Sequence, residues 1–188
     1  MKLVRRLEAL PKHHGYAVTI GMFDGLHVGH RFILGSLARV AKAKKLKTLL
    51  IGFENRRDRP SPKLVSEVEK RAMLSELGID YLLLLDFKKV KPLSYEEFVG
   101  WLGSRLRIGA FIASDKLRIG RDRLGTPELV TQAWNRLSPK TLVRYHPSKI
   151  LRLNGKREKI SSSHIRELLE KGKVDWMPKF LGRNFYLS

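Results

Sequence analysis

The sequence contains no cysteine, and it has far fewer acidic than basic residues. Without cysteine, disulfides and thiolate metal sites are excluded. No apolar run approaches the length of a membrane span, and the N-terminal stretch "MKLVRRLEALPKHH" is too polar for a signal peptide. We therefore expect a cytoplasmic protein without a membrane segment, and its 188 residues are enough for one sizeable core.

The charge balance is unusual, with 38 Lys and Arg against 18 Asp and Glu and a net charge of +20. Such an excess favours polyanionic partners, which include nucleotide phosphates, nucleic acid and acidic membrane surfaces. The basic residues are spread along the whole chain and form no basic tail. A solvated basic surface explains them equally well, so nucleic-acid binding is possible but not favoured.

Short apolar segments alternate with longer amphipathic ones. This alternation predicts an α/β fold with a parallel sheet of about five strands flanked by helices. Ser94 with Glu97 forms a capping box, and Thr126 precedes a proline at a first helical position, so both mark helix starts. The expected strands are 16–23, 47–53, 80–87, 108–114 and 141–146, and the expected helices are 32–43, 63–78, 93–106 and 126–137.

The pattern changes after residue 147. Asn154-Gly155 is a strong signal for a two-residue β-hairpin turn. Two short helices are expected after it, in "ISSSHIRELLEKGK" and near "VDWMPKFLG". We expect one domain over 1–188, with its core at about 16–147 and the hairpin and C-terminal helices at about 148–188.

The stretch "IGMFDGLHVGH" (20–30) lies where a predicted strand gives way to a predicted helix. Ligands of open parallel sheets bind beyond the carboxyl ends of the strands, and a helix N-terminus attracts anions. His27 and His30 are three residues apart, which places both on one face of a first helical turn, where both can donate to one phosphate. The spacing matches neither a Rossmann fingerprint nor a Walker loop. Two structural histidines in a glycine-rich turn remain the alternative.

A second candidate anion site lies at "ISSSHIR" (160–166), where three serines precede Arg166 by about one helical turn. Simple N-capping explains one serine but not three with an arginine. Two anion sites at one edge of a sheet predict a bound polyphosphate, and a nucleoside triphosphate is the obvious ligand. No zinc or other protein-held metal site is expected, since these stretches lack a set of metal ligands at matching spacing.

Taken together, "GMFDGLHVGH" and "ISSSHIR" resemble the HxGH nucleotidyltransferase superfamily. More closely, the chain resembles the FAD synthetase module of bacterial bifunctional riboflavin kinase/FAD synthetases. The resemblance covers about residues 16–186 and includes "KLVSEVEKRAMLSELGIDYLLLLDF", "LSYEEFVGWL" and "FLGRNFYL". It implies a Rossmann-like nucleotidyltransferase fold. The sequence stops where the riboflavin kinase domain of the family would begin, so a separate riboflavin kinase is expected to supply FMN.

The resemblance implies adenylyl transfer from ATP to FMN, which gives FAD and pyrophosphate. Mg²⁺ would bridge phosphates rather than sit in a protein metal site. His27, His30 and Arg166 would be the catalytic residues, with both histidines and Arg166 on the ATP phosphates. The other implied ATP-binding residues are Gly21, Phe23, Asp24, Gly25, Ser162 and Ser163. Asp24 could equally be a carboxylate that stabilises the turn.

Two departures from the family concern the FMN-binding residues expected here, which are Phe53, Arg56, Arg57 and Lys116. The family usually has Pro-His-Pro after the second strand, where this chain has "FENRRDRP", and the arginines there could also form a solvated loop. Lys116 stands where an Asp or Asn is usual, unless a one-residue slip brings Asp115 to that place. A paralogue with another phosphate-bearing acceptor, or a non-catalytic nucleotide- or nucleic-acid-binding protein, therefore stays an alternative.

Overall fold

The computed structural model describes residues 1–54, 64–153 and 156–183. Its centre is a parallel sheet of six strands in the order β1-β4-β3-β2-β5-β6. The α/β prediction is confirmed. The strands of this sheet are β1 (Lys2–Val4), β2 (Gly15–Ile20), β3 (Lys47–Glu54), β4 (Tyr81–Asp86), β5 (Arg107–Ser114) and β6 (Leu142–His146).

The sheet has one strand more than the sequence predicts. Strand β1 pairs in parallel with β4, with Lys2 opposite Tyr81 and Val4 opposite Leu83. It is a three-residue edge strand, and its exposure changes from an exposed lysine to a buried valine. A segment this short carries too little periodicity to be recognised, and its pairing to a distant strand makes it regular.

Helices cover both faces of the sheet. On one face α1 and α2 pack through residues such as Leu37 and Leu74, and on the other α4 and α5 pack through residues such as Phe98 and Trp134. Burial on both faces explains why β2 is buried along its whole length. The helices are α1 (Val28–Ala43), α2 (Glu67–Glu76), α3 (Phe87–Val90), α4 (Tyr95–Gly103), α5 (Pro127–Leu137), α6 (Ser162–Glu170) and α7 (Met177–Leu181).

Helix starts follow the predicted caps. Ser94 and Glu97 form the expected capping box at α4, and Thr126 accepts the Leu129 N–H ahead of Pro127 in α5. Helix α1 begins at Val28, four residues before its predicted start, because His27 rather than a serine or aspartate caps it. The short helix α3 directly follows β4 and was not predicted from the sequence.

The C-terminal part contains the predicted hairpin and helices. Strands β7 (Ile150–Leu153) and β8 (Lys156–Lys159) pair antiparallel, with Leu153 opposite Lys156. Asn154 and Gly155 lie outside the described residues. A third apolar cluster joins α6 and α7, with Phe180 fully buried in it, and Val28 of α1 and Leu64 pack against this cluster. The start of α6 is thereby held close to the start of α1.

No helix in the described ranges is long and apolar enough to cross a membrane.

The loop after β5 folds back onto the start of α4 at Gly120. Gly120 has a φ of 77°, and a Cβ there would lie 2.4 Å from the backbone nitrogen of Tyr95. The neighbouring Arg121 N–H donates to the Leu93 carbonyl at 2.7 Å. Backbone cannot yield as a flexible side chain can, so this close approach requires glycine.

We therefore expect Gly120→Ala to lower the free energy of unfolding by about 2 to 4 kcal/mol, from left-handed strain and overlap with backbone. Gly100→Ala is the matched control, since a Cβ at Gly100 in α4 meets nothing within 4 Å. It should raise stability by about 0.5 to 1 kcal/mol. Urea unfolding of both variants measures the difference, and equal stabilities would contradict the close-approach argument.

Candidate active site

The turn between β2 and α1 carries the first predicted anion site in a strained conformation. Phe23 and Leu26 both have positive φ, 47° and 43°, and Gly25 between them has 75°. A left-handed non-glycine residue costs on the order of 1–3 kcal/mol unless its surroundings hold it. Here the side chains of Phe23 and Leu26 are buried in the core at 3% and 0% exposure. Burial of these two side chains offsets the strain and fixes the path of the turn.

His27 and His30 meet at the start of α1. His27 is the N-cap, and its Nδ1 accepts the backbone N–H of His30 at 3.2 Å. The two rings stack with centroids 3.6 Å apart and planes 13° apart. Because His27 Nδ1 is an acceptor, a neutral His27 ring carries its proton on Nε2. The cap therefore leaves Nε2–H as a donor for a ligand.

Both imidazoles are held in the neutral form. Burial lowers the pKa of His27 from 6.5 to about 4, partly opposed by a backbone hydrogen bond. Burial also lowers the pKa of His30 well below its usual value, and the nearby His27 and Lys70 lower it further. His30 Nδ1 is buried without a hydrogen-bond partner in the part of the chain that the structure describes. Near pH 7 these rings can donate to an anion but do not bring a positive charge to it.

The start of α6 lies against this turn through Asp24. Ser162 Oγ donates to the Asp24 carbonyl at 2.8 Å, and the guanidinium of Arg166 forms an ion pair with Asp24 Oδ2. Ser161 caps α6 by accepting the His164 N–H. The two helix starts predicted to bind one polyphosphate are therefore neighbours, and Asp24 joins them. Ser163, also predicted to bind ATP, is exposed in the first turn of α6.

A cavity of about 170 Å³ opens beside the start of α1, between the carboxyl ends of β2 and β5. The strand order reverses between these two strands, and such a point is where open α/β sheets bind ligands. Thr19 is fully buried, and its Oγ1 has no hydrogen-bond partner among the described residues. The lining residues are Thr19, Ile20, Gly21, Phe23, His30, Ile33, Ser114, Lys116 and Leu117.

Four residues predicted from the sequence, Gly21, Phe23, His30 and Lys116, thus line one cavity. Asp115, the alternative to Lys116, does not line this cavity, and its Oδ1 accepts from the hydroxyls of Ser114 and Ser148 at 3.2 and 3.0 Å.

Among the described residues, the predicted FMN residue Phe53 is not part of this lining. Phe53 lies half-buried near the end of its strand and packs edge-to-face on Phe87, with centroids 5.7 Å apart. Arg56 and Arg57 lie outside the described residues.

Two residues of the site region were missed in the sequence. Thr19 is a polar residue in the apolar run "YAVTI". A polar side chain in a strand buried on both faces needs a partner, so the sequence did contain a signal for this residue. Lys70 of α2 donates from Nζ to the Met22 carbonyl at 2.9 Å. No local pattern marks Lys70, because its contact depends on how α2 packs beside the turn.

The described residues contain no group of three or more His, Cys, Asp or Glu that could hold a metal ion. Asp24 is the carboxylate at the two helix starts, and one of its oxygens is engaged by Arg166. This donor set suits a hard cation held mainly by phosphate oxygens and water.

Comparison with known proteins identifies the family of this chain. A family model described as FAD synthetase matches residues 9–164. The chain belongs to the FAD synthetase family. A relative from Buchnera aphidicola subsp. Schizaphis graminum (strain Sg) is 32% identical over 100% of this chain and 62% of its own length. One from Escherichia coli (strain K12) is 31% identical over 71% of this chain and 46% of its own length. Both are named bifunctional riboflavin kinase/FMN adenylyltransferase. The chain thus spans less than two thirds of these relatives.

Solved structures support the fold of this family member. A crystal structure titled macrolide-efflux protein, from Streptococcus pneumoniae, has a TM-score of 0.80 at 21% identity, over 96% of this chain and 61% of that one. Pantothenate synthetase from Thermus thermophilus has a TM-score of 0.55 at 14% identity, over 95% of this chain and 80% of that one. At these identities the likeness concerns the fold alone.

The buried histidines generate a prediction for stability against pH. Between pH 6.5 and about 4, the unfolded chain protonates His27 while the folded chain does not. Stability should therefore fall as the pH drops through this window. His27→Asn keeps an oxygen acceptor for the helix cap but cannot titrate. Its stability loss over the window should be smaller by about 3 kcal/mol, measured by urea unfolding. Parallel curves for the two proteins would show that His27 does not resist protonation.

Proposed function

We propose that this chain transfers the adenylyl group of ATP to FMN, giving FAD and pyrophosphate. Membership of the FAD synthetase family and the names of its relatives support this reaction. The observation that carries it is the meeting of two helix starts at Asp24, beside a cavity at the carboxyl edge of the sheet. The proposal covers only the adenylyltransferase half of those names. A cytoplasmic location goes with it, because ATP is available there.

In this reaction an oxygen of the FMN phosphate attacks the α-phosphorus of ATP. A bond forms between that oxygen and the phosphorus, and the bond to the bridging oxygen of the β-phosphate breaks. Pyrophosphate leaves with the electron pair. The attacking phosphate is already ionised near pH 7, so no side chain has to remove a proton. Catalysis then consists of positioning the groups and stabilising charge.

Each of the two helix starts would bind a different part of the triphosphate. At α1, His27 and His30 donate as neutral rings to phosphate oxygens, and the free N–H groups of the first helical turn add to them. At α6, Arg166 supplies a formal positive charge to the β- and γ-phosphates and then to pyrophosphate. Gly21, Phe23 and Gly25 shape the turn beneath the nucleotide, and Ser162 and Ser163 add hydroxyls at α6.

Asp24 competes with the triphosphate for Arg166. In the structure the carboxylate pairs with the guanidinium. A phosphate that binds the same guanidinium nitrogen would displace the carboxylate, so Asp24 would hold Arg166 in place until the nucleotide arrives. Mg²⁺ bound to the phosphate oxygens, with Asp24 as the nearby carboxylate, would neutralise charge on the leaving pyrophosphate.

Purified protein given FMN, ATP and Mg²⁺ should form FAD, measured by chromatography. His30→Ala should lower kcat about a hundredfold, because it removes one donor to the charge that builds up on phosphate. The control is His13→Ala, an exposed histidine ahead of β2 and so at the opposite edge of the sheet. It should behave as wild type.

Two outcomes of this experiment would count against the proposal. If wild-type protein binds FMN and ATP but forms no FAD, the chain is not an active FMN adenylyltransferase. A fall below threefold in His30→Ala would give His30 a structural role only.

A second candidate is the same transfer to a different phosphate-bearing acceptor, and Lys116 is the observation that favours it. Its side chain lines the cavity at a position where the family usually has Asp or Asn. A cation in place of an acidic or amide side chain changes which acceptor groups the cavity recognises. FMN stays the first candidate because the family and its relatives point to it, and Lys116 would then contact the FMN phosphate. Phe53, Arg56 and Arg57 would be further FMN contacts.

Lys116→Asn tests which part of the reaction this cation serves. If Lys116 contacts FMN, KM for FMN should rise about tenfold while KM for ATP stays within about twofold, because one charge-assisted contact is lost. Lys44→Asn, an exposed lysine at the end of α1, is the control. An unchanged KM for FMN would remove Lys116 from the acceptor site. If wild-type protein adenylylates another phosphate ester faster than FMN, the second candidate is correct.

A further inference from the structure

Helix α2 touches the catalytic turn at two places. Lys70 Nζ donates to the Met22 carbonyl at 2.9 Å, and the Leu64 N–H just ahead of the helix donates to Asp24 Oδ1 at 3.3 Å. A Cβ on Gly25 would lie 2.8 Å from Leu64 Cδ1, so the backbone of the turn passes directly against this side chain. The turn that carries the first phosphate site therefore rests on an element outside its own strand and helix.

The orientation of the Met22 carbonyl depends on the conformation of that turn. It belongs to the peptide plane that leads into Phe23, the first residue with positive φ. Relaxation of Phe23 toward negative φ would rotate this plane and move the carbonyl away. A hydrogen bond from a charged donor to this oxygen opposes the rotation. Lys70 thus helps to hold Phe23 at positive φ, and this conformation sets the positions of Asp24 and His27 later in the turn.

Lys70 also influences His30 through its charge. The groups that face His30 are Phe23 and His27 from the turn, Lys70 from α2 and Lys116 across the cavity. The Lys70 ammonium opposes protonation of His30, in the same direction as burial and His27. It helps to keep His30 a neutral donor.

We propose that Lys70 is a positioning residue for the adenylyl transfer, which holds the β2–α1 turn in its reactive conformation through the Met22 carbonyl. The role rests on the proposed function, since it serves the phosphate site. It adds a residue of α2 to a site otherwise built from the carboxyl edge of the sheet and the starts of α1 and α6.

Lys70→Met keeps the aliphatic stem of the side chain and removes both donor and charge. We expect kcat to fall about tenfold, because the histidines lose their alignment, with recovery to within about threefold of wild type in Lys70→Arg. Arg71→Met is the matched control, since Arg71 is the exposed neighbour on the same helix and lies in the shallow groove with Met1 and Val68. It should retain wild-type kcat.

The pH dependence separates positioning from a general loss of stability. Without the Lys70 cation the pKa of His30 should rise, so the acidic limb of kcat/KM should move to higher pH in Lys70→Met but not in Lys70→Arg or Arg71→Met. A variant that is only less stable would also lose activity at higher pH through acid unfolding, so the activity profile is compared with urea unfolding of the same variant at each pH. NMR titration of labelled histidines reads the same shift in folded protein without any turnover.

The following outcomes would overturn the proposal. A kcat for Lys70→Met within twofold of wild type, or a loss that Lys70→Arg does not recover, overturns the proposal. So do unchanged backbone amide chemical shifts of Phe23 in Lys70→Met. If wild-type protein forms no FAD, the proposed function fails instead, and these shifts still decide whether Lys70 acts on this turn.

Discussion

The candidate site depends on one carboxylate, that of Asp24. The backbone carbonyl of this residue accepts from Ser162, one side-chain oxygen pairs with Arg166 and the other accepts the Leu64 N–H. These contacts join the turn before α1, the start of α6 and the segment leading into α2. Since α6 follows the hairpin and lies far from α1 in sequence, nothing local holds the two together. Loss of the Asp24 carboxylate would remove the ion pair with Arg166 and the Leu64 hydrogen bond, and would leave the apolar cluster and the Ser162 contact to hold the two helix starts together.

Burial determines which side chains of the site are neutral and which are charged. His27 and His30 are surrounded closely enough that they stay neutral, so they contribute directed N–H donors whose orientation is set by the cap. Formal positive charge comes from side chains that remain partly in water, namely Arg166, Lys70 and Lys116. This arrangement suits a reaction in which charge is redistributed over phosphate oxygens while no proton has to be moved.

Much of the fold was predictable because its signals are local. The capping box at Ser94 and the cap at Thr126 are satisfied within one helical turn, and buried parallel strands appear as continuous apolar runs. Features that depend on partners far along the chain were missed. Strand β1 exists because β4 offers an edge, and α1 starts early because His27 can serve as its cap. Lys70 faces the turn because of how α2 packs, which no spacing in the sequence encodes.

The sequence by itself determined the alternation of strands and helices, and it marked the two helix starts by their glycines, histidines and serines, since each depends on residues within a few positions of one another. Only the tertiary structure decided that these starts meet at Asp24, that the histidines are neutral and that Lys70 contacts the turn. Ion pairs, burial and the pKa values that follow from it depend on which distant residues exclude water, and that is a property of the packed chain.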